Sequence, residues 1–233
     1  MSEATERLTA SIVLVGKFNP AIFSPAWIAR TELVDDRALE AAKVSVIHPE
    51  IAVFEIGGYS FDIRTERFSV EVASEPLVRA LDATLVIFDK LLPHTPISAY
   101  GINYVEHFRL DSADRRLAFG RALAPLEPWG AWGKEIGELK GDLTSGVVDL
   151  TMVQTYDPAG SGERRVDVQP SAMTELANAG VFVSVNDHRS LLGKESAGAK
   201  PVMEKLQSRF DDSIDIARSI VDGLHAFAKS LTV

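Results

Sequence analysis

The stretch 91-LLPHTPISAYGINYVEHFRL-110 decides how this chain folds. Pro93 and Pro96 stop the helix that ends at Leu92, because proline lacks a backbone N–H and biases the residue before it towards extended backbone. From Ile97 onward, Tyr100, Ile102, Tyr104, Phe108 and Leu110 fall on one parity, and Gly101, Asn103, Val105, His107 and Arg109 on the other, the period of a strand. Before this joint the elements read strand, helix, four short strands, helix. After it the same order is expected to recur. The expected architecture is α+β: two β-α-β4-α pseudo-repeats, about 8–92 and about 96–231, with antiparallel sheets, helices packed on one face, and one globular unit over residues 1–233.

Upstream of the joint, Leu8, Ala10, Ile12 and Leu14 alternate with Thr9, Ser11, Val13 and Val15, predicting a strand with one buried face. Ser24-Pro25 reads as an N-cap followed by proline at the first helical position, and Asp35 caps a second short helix. Between Lys43 and Ala73, three turn signals, His48-Pro49, Gly57-Gly58 and Thr65-Glu66-Arg67, separate KVSVI, IAVFEI, YSFDIR and FSVEVA, an antiparallel meander. Gly57-Gly58 suits a tight turn with positive φ at both central residues. Ser74 is then expected to cap a helix striped by Leu77, Val78, Leu81, Leu85, Phe88 and Leu92.

Downstream, Asp111 or Ser112 caps a helix through Leu123, and EPWGAWGKEIG reads as a turn-rich connection. Strands are expected over Glu135–Leu143, Val147–Tyr156, Glu163–Val168 and Gly180–Asn186, with Asp157–Glu163 a hairpin tip and Asn186–Lys200 a mobile polar connection. Pro201 opens a long helix in which Met203, Leu206, Phe210, Ile214, Ala217, Val221, Leu224 and Ala228 keep one stripe.

Composition narrows the function classes. Of 233 residues, 46% are hydrophobic and 24% charged, ordinary for a globular chain. The net charge is −9 and both sides of the joint are acidic, which argues against nucleic acid as a partner. Cysteine is absent, excluding disulfides, thiol nucleophiles and thiolate metal sites. The start MSEATERL lacks the pattern of a secretory signal, and no apolar run reaches the ~20 residues that span a bilayer, so a cytoplasmic location without membrane contact is expected.

No cofactor or metal is expected either. His48, His94, His107, His188 and His225 are scattered without ligand spacing. Gly193-Lys194-Glu195-Ser196 lacks the upstream glycine of a phosphate loop and reads as loop, and no nucleophile elbow or dinucleotide fingerprint occurs. The strongest polar constellation is Asn103, His107 and Arg109 on one strand face, about 7 Å between alternate residues, joined by Asn186 and His188 if the two end strands meet. These could offer donors and an imidazole to an anionic or amide-bearing ligand, or form a solvated strand face. Glu55, Asp62, Glu71 and Glu106 read as the wet side of the sheet. Trp27, Trp129 and Trp132 read as core packing sooner than as a pocket lining.

Two resemblances follow from these residues. The element order resembles the duplicated TATA-box-binding-protein-like fold and, more loosely, helix-grip folds, which implies a curved sheet whose open face binds something. The segments Phe23–Trp27, Leu91–Pro96 with Gly101-Ile102-Asn103, and Val185–His188 resemble a sporadically distributed bacterial family of uncharacterised proteins, which implies no particular activity. The leading expectation is a non-enzymatic protein-binding or assembly module, with a protein partner or a second copy as a homodimer, acting through its sheet face or edge. The alternative is a small molecule, sensory or enzymatic, held between sheet and helix.

Overall fold

The computed structural model describes residues 5–138, 147–156, 161–191 and 198–231. Among these residues nine strands form one antiparallel sheet: β1 (Thr5–Gly16), β2 (Lys43–His48), β3 (Ile51–Ile56), β4 (Tyr59–Arg64), β5 (Arg67–Val72), β6 (Ile97–Arg109), β7 (Leu150–Thr155), β8 (Gly162–Pro170) and β9 (Gly180–Ser190). The helices are α1 (Pro25–Ala29), α2 (Asp36–Glu40), α3 (Arg79–Leu85), α4 (Ala113–Leu123), α5 (Gly130–Glu138) and α6 (Lys200–Ser230). The strand order is β2-β3-β4-β5-β1-β6-β9-β8-β7. One continuous sheet therefore replaces the separate sheets expected.

The segment after Pro96 is extended, and β6 pairs with β1 from Gly16↔Ile97 to Thr5↔Phe108, with irregularities at both ends. The joint itself is tied down from both sides, as Lys17 N–H donates to the Pro96 carbonyl (2.9 Å) and Ala199 N–H to that of Pro93 (2.8 Å). The predicted β2–β5 antiparallel meander forms, with Gly57 and Gly58 at φ +59° and +81°. Their positive φ is the geometry of the tight hairpin turn. Arg79 of α3 donates to the Gly57 carbonyl (2.6 Å) and sits 4.6 Å over the Tyr59 ring, clamping that turn to the helix.

Even-numbered residues of β1 and β6 face the helices. Ile12, Leu14, Phe61, Phe68, Phe88 and Phe108 are fully buried, and the Phe68 and Phe88 rings meet edge to face at 4.8 Å. Each such side chain contributes roughly 1.5–3 kcal/mol of burial, so this aromatic cluster dominates the first half of the core. α3 lies over β5 and β1, and α6 over β6 and β9. The stripe predicted on α6, from Met203 to Ala228, is buried except for Leu224, which is partly buried.

Several local expectations are corrected. Ser74 does not cap α3; the Glu75 carboxylate instead accepts from Leu77 N–H (3.0 Å), and the helix continues as a wider π turn over Val86–Leu91. The connection around Trp129 and Trp132 is helical, a 3₁₀ turn running into α5, so no strand covers Glu135–Glu138; the rest of that predicted strand, 139–146, lies outside the described residues. Asn186–Ser190 still belongs to β9, while residues 192–197, with the Gly193–Ser196 loop, and 157–160 of the hairpin tip also lie outside the described residues. Trp129 and Trp132 are exposed, not core, and pack against each other at 5.5 Å. No described helix is long and apolar enough to cross a membrane.

Candidate functional site

Strand register places each residue singled out from the sequence. Asn103 of β6 lies directly opposite Asn186 of β9 and Ser11 of β1. Following the pairing outward, Lys43, Glu55, Ser60, Glu71, Ser11, Asn103, Asn186 and Arg165 form one row across eight strands of the open face. The centre of that row bonds to itself: Asn186 Nδ2 donates to Asn103 Oδ1, and Asn103 Nδ2 lies 3.2 Å from Ser11 Oγ. His188 stands one row away, opposite Gly101, with its Nε2 3.2 Å from Ser190 Oγ.

His107 and Arg109 do not join them. His107 is four residues along β6 from Asn103, about 13 Å, with Nδ1 2.8 Å from Ser171 Oγ and its ring against Phe182. Burial, and then the facing Arg7 charge, hold its imidazole below the usual range. Arg109 is paired with Glu6 (3.3 Å) and donates to the Glu175 carbonyl. Sequence parity thus brought Asn103 and Asn186 together, but the five residues do not converge on one point.

The opposite face holds two buried carboxylates. Glu106, read as wet, is 5% exposed and points beneath α6. Its oxygens accept from Thr5 Oγ1 (2.7 Å) and Tyr104 Oη (2.9 Å), and the His225 ring is 3.3 Å away. Burial pushes the Glu106 carboxyl up, but the adjacent His225 ring and the hydrogen bonds of Thr5 and Tyr104 outweigh it and hold the group below the usual range. Burial and the adjacent Glu106 charge push the Tyr104 phenol up. Glu55, Asp62 and Glu71 do lie on the open face, as expected of them.

Asp187 is the second, 4% exposed. It accepts from Tyr156 Oη, Ser213 Oγ of α6 (2.8 Å) and Arg164 Nη2 (3.4 Å). Arg164 also reaches Gln154 of β7 (3.3 Å), so this network ties α6, β9, β8 and the outermost strand together. Burial, and then Asp187, push the Tyr156 phenol up to about 12.

The two sheet edges differ. Among the described residues β2 pairs only with β3, and it carries Lys43, His48 and a register irregularity between Val44 and Val46, the charges and bulges by which edge strands resist pairing. Among the described residues β7 pairs only with β8, and its six residues, LTMVQT, hold no charge and no proline. Met152 and Val153 are 66% and 55% exposed. α6 does not reach across β8 and β7, leaving a cavity of about 450 Å³ lined by Leu123, Leu150, Met152, Val166, Ile220 and Leu224. No protein-family model matches this chain, and no curated protein matches its sequence.

Proposed function

We propose that the chain is a non-enzymatic assembly module whose β7 edge pairs with β7 of a second copy. The observation that carries this reading is an uncharged, proline-free edge strand with exposed Met152 and Val153 beside an apolar groove. Such an edge offers a row of backbone donors and acceptors without the usual deterrents. A second copy is the occupant because two uncharged strands meet without like-charge repulsion, although the chain as a whole carries −9, and because two-fold homodimers dominate soluble assemblies. A stable interface buries on the order of 1,200 Å² or more in total. A six-residue strand, ~20 Å long, is too narrow to supply that, so the groove beside it is part of the contact.

The duplicated β-α-β4-α plan belongs to the same proposal. Support comes from the mirror order of strands about the β1–β6 seam and from α3 and α6 covering corresponding strands on its two sides. Against it, three strands follow β6 among the described residues, where four follow β1 before the joint.

Size-exclusion chromatography with light scattering tests the assembly. The full chain is expected at twice its monomer mass, Met152→Lys and Val153→Lys at monomer mass with unchanged circular dichroism, and Val44→Lys on the β2 edge still dimeric. A monomeric wild-type chain, or dimers that persist in both β7 variants, would refute it.

A further inference from the structure

We infer that the cleft between the Ser190 end of β9 and the first third of α6 binds the phosphate group of a small molecule. The cleft has a volume of about 340 Å³ and is lined by Tyr100, Arg189, Ser190, Lys205, Ser208 and Arg209. That volume is at the small end of ligand sites. Tyr100 and Arg189 are directly opposed across β6 and β9, both facing the helix. Lys205 and Arg209 are four residues apart on α6, one turn, and so share a face.

Three polar atoms here lack partners, while Ser190 Oγ lies 3.2 Å from His188 Nε2 and Ser208 Oγ donates to the Lys205 carbonyl. Tyr100 is 1% exposed, yet among the described residues its hydroxyl has no hydrogen-bond partner, and the buried Nε atoms of Arg189 and Arg209 have none either. An unsatisfied buried donor costs ~1–3 kcal/mol, so three in one cleft need an occupant to explain them. Nearby carboxylates do not fill that role. Asp187 is already engaged by Tyr156, Ser213 and Arg164, and Asp212 is largely exposed and no closer than 3.9 Å to Arg209.

The chemistry of the lining selects the ligand. Two guanidiniums and an ammonium are donors only, and the hydroxyl of Tyr100 is free to rotate into donation, while that of Ser208 donates to the Lys205 carbonyl (2.9 Å) and can accept. A phosphate monoester presents only acceptors and up to two negative charges, which suits three cations better than a single carboxylate does. Arg189 is held in place by the Tyr156 ring, 4.7 Å from its guanidinium carbon, so its fork is oriented before any ligand arrives. This cationic cleft stands out on a chain of net charge −9.

Calorimetric titration of the full chain with inorganic phosphate, at constant ionic strength, tests the site. One saturable event is expected, weakened at least ~10-fold by Arg209→Gln and several-fold by Tyr100→Phe. Lys43→Gln, on the β2 edge, and Met152→Lys should bind as wild type, the latter separating this site from the assembly reading. Should Arg209→Gln fail to fold, Lys205→Gln, on the same face of the helix, gives the same readout. Heat that does not saturate, acetate binding as tightly as phosphate, unchanged affinity in a folded Arg209→Gln chain, or equal loss in Lys43→Gln would overturn it.

Discussion

Replacing Asp187 by alanine removes the acceptor at the centre of a network that joins α6, β8, β9 and the residue following β7. Three donors converge on its carboxylate, from Tyr156, Ser213 and Arg164, and Arg164 has little access to water. Breaking a buried ion pair from one side costs about 3–5 kcal/mol, because the remaining charge stays buried without its partner. For a chain of this size, ~1 kcal/mol moves the melting temperature by ~2–4 °C, so Asp187→Ala should melt roughly 6–20 °C below wild type. Ser213→Ala removes one charge-assisted hydrogen bond and should cost about 1.5–3 kcal/mol. The two are not additive, since both act on the same carboxylate, and the double variant should sit close to Asp187→Ala alone. Adding Arg164→Leu to Asp187→Ala should recover part of the loss by removing the orphaned charge. Urea unfolding followed by far-ultraviolet circular dichroism measures all four chains. An Asp187→Ala chain within about 1 kcal/mol of wild type, or strictly additive losses, would refute the argument that this network anchors the outer strands.

Three further predictions concern the core, the meander and α6. The Glu106 carboxyl is held below its ordinary range in the folded chain, so its contribution is present above the unfolded-state value and is lost as pH falls through the folded one. Wild type should therefore lose stability faster than Glu106→Gln between about pH 5 and about pH 3, with urea midpoints as the measure and parallel acid limbs as the contrary result. Gly57→Ala places a Cβ 2.4 Å from Val34 Cγ1 at a residue with φ +59° and should cost about 2 kcal/mol or more. Gly223→Ala meets nothing within 4 Å in the middle of α6 and should gain about 0.5–1 kcal/mol. Thermal melts that rank the two the other way would contradict the turn geometry.

Much of this architecture was legible because it is written in local periodicity. The alternation through Tyr100, Ile102 and Tyr104 marked β6, the turn residues marked the meander, and the stripe from Met203 to Ala228 marked α6. The helix α5 was missed because Gly130, Gly133 and Gly137 read as turn residues. At Gly133 the demand is for close packing, since a Cβ there would lie 2.1 Å from the Leu126 carbonyl oxygen. The candidate site was legible only in part. Asn103 and Asn186 share a face by parity, but strand register alone decides that His107 and Arg109 stand in other rows. Glu106 shares the parity of Tyr104 and Phe108, and Asp187 that of Val183 and Val185, which was the available signal that both point inward. Their partners, His225 and Ser213, arrive from α6, and only the assembled sheet brings them near.

The place of β1 in the sheet has a consequence for how the chain comes into being. Among the described strands it comes first in the chain and stands in the middle of the nine, yet its neighbours β5 and β6 are translated more than fifty and more than eighty residues later. The β2–β5 hairpins can zip up among themselves, while β1 waits with both flanks bare until β5 is made and with one flank bare until the joint at Pro93–Pro96 has been passed. Folding is gated by closure of that long loop, the slow class of sheet assembly, and the nascent chain is most prone to mispair during this interval.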